Sequence, residues 1–215
     1  MQFSARAKRI VWIVGSLAVT LLAVLLIVFL KYGNRKKEEP IDFNMLALKG
    51  IELQPFDAAD PVLDGQLMEE YDFTVLEIWY PQSADCVRYM GEMNMFAEEC
   101  LHRDDEMYAN VVGVCIHCND KNGNVSASAV ATAAEIARGE DVLYHQYVAD
   151  AKTERELDKL TSKVYPTVIY LNRQGEIIRI VSGKNGKELC DCLDELIDIT
   201  MKAKKAKEKE ERKKE

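Results

Sequence analysis

The amino-acid sequence predicts an α/β domain, a central mixed sheet flanked by helices, set behind one amino-terminal transmembrane helix. Three observations carry that expectation. An uncharged apolar run near the amino terminus is long enough to cross a bilayer. Apolar runs rich in β-formers then alternate with segments of helical period. A hairpin followed by an amphipathic helix closes the domain.

Ile10 to Leu30 is 21 residues without a charge. At about 1.5 Å per residue a helix of that length reaches roughly 31 Å, the thickness of a hydrocarbon core. A cleavable signal peptide would carry a shorter apolar region and a small-residue cleavage site, whereas this run ends Val28-Phe29-Leu30-Lys31-Tyr32. The segment therefore reads as an uncleaved anchor. Lys and Arg nearly balance across it, with Arg6, Lys8 and Arg9 on one side and Lys31, Arg35, Lys36 and Lys37 on the other, so charge alone does not orient it. The expected organisation is a short basic amino terminus at 1–9, the anchor at 10–30, a polar linker at 31–47, a globular domain at 48–201 and a charged tail at 202–215.

Charge narrows the function classes. The whole chain of 215 residues has a formal charge of −8, but residues 41–201 hold 13 basic and 30 acidic side chains. So acidic a body repels phosphates, which excludes a nucleic-acid binder. With 48% apolar residues and only 6 cysteines, the fold rests on burial rather than on a disulfide framework, and each thiol can be read individually.

Within the domain, Val75-Leu-Glu-Ile-Trp-Tyr80 and Asn110-Val-Val-Gly-Val-Cys-Ile116 read as central parallel strands. Between them Cys86, Met90, Met93, Ala97 and Cys100 recur at helical spacing, which predicts an amphipathic helix over 84–102. Ala127 to Arg138 reads as a helix ended by Gly139, Leu143 to Val148 as a third strand, and Glu154 to Ser162 as a short helix. Val168-Ile-Tyr-Leu171 and Glu176-Ile-Ile-Arg-Ile180 flank Asn172-Arg-Gln-Gly175, whose closing glycine can take positive φ, so they form a hairpin. A last helix starts near Lys187 with Leu189, Cys192, Leu193, Leu196 and Ile197 as its apolar stripe.

Several residues could carry chemistry. Ser83 and Cys86 fall in the first turn of the helix that follows Trp79-Tyr-Pro-Gln, where free N–H groups and the helix dipole favour a thiolate. The same pair also fits a plain N-cap and a small core residue. Tyr165-Pro166 stands before an inner strand, where a trans proline would remove a ladder donor, so a cis bond is a candidate there. Glu77 is a carboxyl inside an apolar strand; it is either a desolvated acid of raised pKa or a strand-end residue reaching water. Cys115-Ile-His-Cys118 closes the second strand. Cys118 could approach the helix start that carries Cys86, or Cys115 could be core and Cys118 a loop thiol. The same motif is half of a zinc site, with His102, His117, Cys190 and Cys192 as possible completions. Cys190 and Cys192 lie about 200° apart around their helix, so no metal is assigned, and no cofactor motif is present.

Taken together, residues 48–200 resemble the thioredoxin superfamily, and within it the membrane-anchored TlpA/ResA type of extracytoplasmic thiol-disulfide oxidoreductase. The likeness runs through Glu77 to Cys86, the strand Val111 to Val114, the inserted helix and strand from Ala127 to Val148, Tyr165-Pro166-Thr167, and Gly175 in the hairpin turn. The resemblance implies a thioredoxin-like fold, an anchor in the cell membrane with the domain outside, and protein thiols or disulfides as partners. It places the family's Trp-x-x-x-Cys-x-x-Cys on Trp79, Ser83 and Cys86, the cis-proline on Pro166 and the buried acid on Glu77, with Trp79, Tyr165 and Pro166 at the substrate face. Ser83 departs from the pattern, because a hydroxyl neither ionises appreciably nor forms a disulfide. Dithiol exchange is then impaired, or rerouted through another thiol such as Cys118. A non-catalytic domain that binds partners in the cis-proline groove is the alternative. A peroxidase is the third, since Tyr80-Pro81 and Ser83-Ala-Asp-Cys86 also resemble the peroxiredoxin motif with Cys86 as the attacking thiolate.

Overall fold

Residues whose side chains are buried on both faces of a sheet must lie at its centre, and Phe73–Trp79 has all seven buried. This strand, β2, is flanked by the parallel strand β3 (Ala109–Cys115) and the antiparallel strand β5 (Thr167–Asn172) in a computed structural model that describes residue 48, residues 50–102 and residues 108–212. The full sheet runs β1-β4-β3-β2-β5-β6, with β1 (Gln54–Pro55) antiparallel to β4 (His145–Val148), β4 parallel to β3, and β6 (Ile177–Ser182) antiparallel to β5. It is the mixed sheet the sequence predicts. The basic amino terminus, the transmembrane helix and the linker expected at 1–47 lie outside the described residues. Among the described residues no helix is long and apolar enough to cross a membrane.

Helices cover both faces. Alternation along β2 and β3 sends Leu76, Ile78, Val112 and Val114 to one side, where α1 (Gly65–Glu69) and α4 (Ala151–Thr161) contribute Met68 and Leu157. Phe73, Val75 and Val111 point to the other side and pack against Met93, Phe96 and Ala97 of α2 (Ala84–Leu101) and Leu189, Leu193 and Leu196 of α5 (Gly186–Glu211). Towards the carboxyl ends of β2 and β3 that second core continues as Trp79, Cys115, Cys118, Cys86, Met90 and Ala133, the last from α3 (Ala127–Gly139).

The local signals explain the elements and their boundaries. Asp64, Ser83, Ser126 and Asp150 each hold an extended conformation and accept a backbone N–H from three residues on, capping α1 to α4. With Asp150 as its cap, α4 starts at Ala151, three residues before the expected Glu154. Strand β4 starts at His145 instead of Leu143, because the Asn94 amide takes the preceding backbone: its oxygen accepts from Leu143 N, and its nitrogen donates to the carbonyls of Glu140 and Asp141. The hairpin forms as expected, with Gly175 at φ 70° and Asn172 Oδ1 accepting from Gln174 N and Glu176 N. Its second strand is displaced to 177–182. The segment expected to be a charged tail from 202 continues α5 as helix through Glu211, with Lys202 to Ala206 exposed and Lys202 paired to Asp198 one turn back. β1 and α1 are additions that sequence periodicity did not predict, being too short to show a period.

Candidate functional site

The turn between β2 and α2 places Ser83 and Cys86 where the motif required. Ser83 is the N-cap of α2, with Oγ accepting from Cys86 N at 3.2 Å, and Ser83 N in turn donates to the Tyr80 carbonyl at 3.2 Å. Cys86 is the third helical residue, so its side chain turns inward. It has no exposed surface and packs with Trp79, Met90, Cys115 and Cys118. Burial pushes the thiol up. Its contact with Ser83 and the nearby backbone pull the other way, and the Glu77 and Asp85 carboxyls add to the rise. Desolvation therefore outweighs the helix terminus, and a thiolate at Cys86 is disfavoured. The same balance works against a peroxide-attacking thiolate at this position.

Glu77 is the desolvated acid, not a strand-end residue reaching water. It is fully buried in mid-sheet, opposite Gly113 of β3 and Val168 of β5. The Tyr144 hydroxyl donates to Glu77 Oε2 at 2.5 Å, while Oε1 has no hydrogen-bond partner. Burial raises its pKa from 4.5 to about 8 despite the tyrosine, so the carboxyl is protonated at neutral pH.

Trp79, expected at the substrate face, is instead fully buried. Its indole Nε1 donates to Gln146 Oε1 at 2.9 Å, and its ring meets Phe56 edge-on at 6.5 Å. Gly113 makes this possible: a Cβ there would stand 2.2 Å from the Gln146 amide, so only glycine leaves room for the amide that satisfies the indole.

The Tyr165–Pro166 bond is cis. Tyr165 donates to Asp158 Oδ1 at 2.6 Å, and Pro166 lines a cavity of about 580 Å³. Its other walls include Asp85, Arg88 and Tyr89 from α2, the half-exposed Val164, and Lys184 from the β6–α5 turn. Arg88 pairs with Asp85, and Tyr89 donates its hydroxyl to the Lys184 carbonyl, bracing the cleft across its width. Cys86 is not among its walls. The helix face turned to the cleft is that of residues 85, 88 and 89, and the sulfur lies beside it, turned into the core.

Cys118 lies in the loop after β3, but it is not exposed there. It is fully buried, with its sulfur 3.2 Å from that of Cys115. The contact between the two sulfurs lowers the Cys118 thiol and raises that of Cys115; burial raises both, and the Glu154 carboxylate opposes ionisation of either. Between them His117 stands in the left-handed region at φ 61°. Glu154, near the start of α4, fastens this turn. It accepts from His117 N at 3.0 Å and from Asn119 Nδ2 at 2.8 Å, and contacts His117 Nδ1 at 2.7 Å. The Tyr80 ring meets His117 at 5.1 Å on one side and Tyr165 at 5.8 Å on the other, so a single aromatic side chain connects this turn to the cis-proline turn. The sequence does not single out Tyr144, Gln146 or Glu154 as site residues, since the side-chain partners that place them lie 35 to 67 positions away, and it marks Tyr80 only through Tyr80-Pro81. No group of three or more His, Cys, Asp or Glu side chains among the described residues is arranged to hold a metal ion.

No family model and no curated protein matches the chain. Solved structures do. The chain is similar to a thiol-disulfide oxidoreductase from Bacteroides fragilis at 14% identity and a TM-score of 0.52, covering 70% of this chain and 99% of that one. It is similar to the thioredoxin domain of a Bacteroides vulgatus thiol-disulfide oxidoreductase at 10% identity and a TM-score of 0.51, covering 70% and 95%. A thiol:disulfide interchange protein from a Bacteroides species matches at 9% identity and a TM-score of 0.51, over 71% and 90%. At such identities the likeness speaks for the fold, and together with the strand order, the helix that opens on Ser83 and the cis Tyr165–Pro166 turn it identifies the fold of this chain as thioredoxin-like.

Proposed function

We propose that the chain is a membrane-anchored, extracytoplasmic protein of the TlpA/ResA type that engages protein thiols or disulfides, and that direct exchange at the Ser83–Cys86 position is disabled. In this reading the cleft beside Pro166 receives an extended segment of a protein partner. Its apolar floor at Val164 and Pro166, flanked by Arg88 and Lys184, suits a peptide that lies along the turn. The observation that carries the reading is the inward orientation of Cys86: with a hydroxyl at 83 and the sulfur buried and disfavoured as a thiolate, partner binding survives where nucleophilic attack does not.

The test uses the full chain in mild detergent and two probes. Reduced and alkylated insulin B chain, followed by fluorescence polarisation, reports binding; Val164→Asp is expected to weaken it about tenfold by placing a charge on the apolar floor. Oxidised insulin with a thiol reductant reports exchange. Absence of any turnover that depends on Cys86 supports the reading. Turnover that Cys86→Ala abolishes and Cys118→Ala leaves intact would overturn it.

A further inference from the structure

The cleft makes no use of the sulfur pair at the end of β3. The Cys115 and Cys118 sulfurs lie 3.2 Å apart, and the turn between them is held by one side chain. We propose that Cys115 and Cys118 are the working dithiol–disulfide couple of this protein, a redox site gated by the Glu154-held turn that exchanges two electrons with disulfides of the glutathione class. This goes beyond the function proposed above, since the couple stands or falls independently of what the cleft binds.

Sulfurs already in van der Waals contact need only a small closing movement to bond. The turn that carries Cys118 is costly to keep: His117 is a non-glycine residue at φ 61°, and Asn119 Oδ1 is buried without a hydrogen-bond partner. Glu154 offsets those costs through His117 and Asn119, and loosening it uncovers Cys118 while Cys115 stays fixed in the strand. Cys118 is the sulfur carried by the turn, so it is the one an external disulfide reaches, and it attacks.

Each bond is accounted for. The Cys118 thiolate attacks one sulfur of the external disulfide, whose S–S bond breaks and releases one thiolate. That thiolate takes the Cys115 proton, and the Cys115 sulfur attacks the mixed disulfide at Cys118 Sγ. The Cys115–Cys118 bond forms as the mixed disulfide breaks, and the second small thiol leaves. The protein pair is oxidised by two electrons and the external disulfide is reduced to two thiols.

Arg103 and Lys121 place both cysteines in one tryptic peptide, separate from the one that contains Cys86. The full chain is reduced, equilibrated with mixtures of reduced and oxidised glutathione, quenched in acid, alkylated and mapped by mass spectrometry. The expected result is that the peptide spanning 104–121 passes as a unit from doubly alkylated to unalkylated and two hydrogens lighter, while Cys86 stays alkylated. Glu154→Gln is expected to speed that conversion about tenfold by weakening the hold on the turn. Double alkylation of 104–121 at every glutathione ratio, or a disulfide joining it to the Cys86 peptide, would overturn the couple; an unchanged rate in Glu154→Gln would overturn the gate. Loss of B-chain binding with this conversion intact counts against the cleft alone.

Discussion

Two stretches of this chain place side chains of the oxygen and sulfur family three residues apart at the carboxyl end of a central strand, and they are built in opposite ways. At the start of α2, the spacing runs along a helix. Ser83 sits outside as the cap and Cys86 one turn in, so the outer group is a hydroxyl and the sulfur is sealed beneath it. At the end of β3 the spacing runs from a strand into a left-handed turn. His117 folds the chain back, and the two sulfurs meet. A helix N-terminus offers its dipole to whichever group is outermost, and here that advantage falls to an oxygen that cannot use it. The turn offers no dipole, but it gives one sulfur a donor in the other. Position in a fold known for thiol chemistry is therefore a weaker guide to the reactive sulfur than which side of its element each sulfur faces.

Making the first stretch like the second should have the largest effect. Ser83→Cys puts a thiol at the cap of α2, where unsatisfied N–H groups stabilise its anion, with Cys86 inside to resolve the mixed disulfide. Insulin reduction by the full chain should rise by at least about 10³-fold over the parent, the scale on which a missing nucleophile is normally felt. No gain would mean that the turn between β2 and α2 does not present position 83 to a substrate, and the reading of the cleft would fail with it.

Glu77 is a neighbour of the first stretch that burial has already committed to one protonation state. Its carboxyl holds a proton up to about pH 8 when folded, against 4.5 in the exposed chain. Between those values the folded state binds a proton that the unfolded state has released, so this stability is complete below pH 4.5 and is lost as pH rises through about 8. Urea unfolding at about pH 5 and about pH 9 should show the parent losing on the order of 3 kcal/mol more than Glu77→Gln, which stays neutral throughout. Equal losses in the two proteins would mean that water reaches the carboxyl, and with it the neighbouring Cys86.

How much of this was legible in the sequence follows from how local each cause is. The alternation of strands and helices, the hairpin at Asn172 to Gly175 and the N-cap at Ser83 are set by residues within a few positions, and they appear where the periodicity and turn chemistry put them. Strand β4 started two residues late because a helix side chain, Asn94, competes for its backbone from about fifty positions away, which no local pattern records. The resemblance put Trp79 at the substrate face, yet its burial depends on a missing side chain at Gly113 across the sheet and on Gln146 behind it. Cys118 could be read as a loop thiol because it follows a strand; that its turn folds inward depends on Glu154, a residue whose own sequence context announces only a helix.

The smallest effect separates capping from chemistry at position 83. Ser83→Ala removes the acceptor for Cys86 N and leaves the first turn of α2 one hydrogen bond short, which should cost about 1 kcal/mol in urea unfolding. If Ser83 acts only as a cap, that loss is the whole consequence for the cleft, and B-chain binding changes no more than the fraction of folded chain does. Ser83→Asp retains the cap acceptor and adds a charge favoured at a helix N-terminus, so it should recover the lost stability. Recovery of stability without recovery of binding would show that the hydroxyl itself touches the partner, and position 83 would then belong to the binding surface of the cleft as well as to the helix.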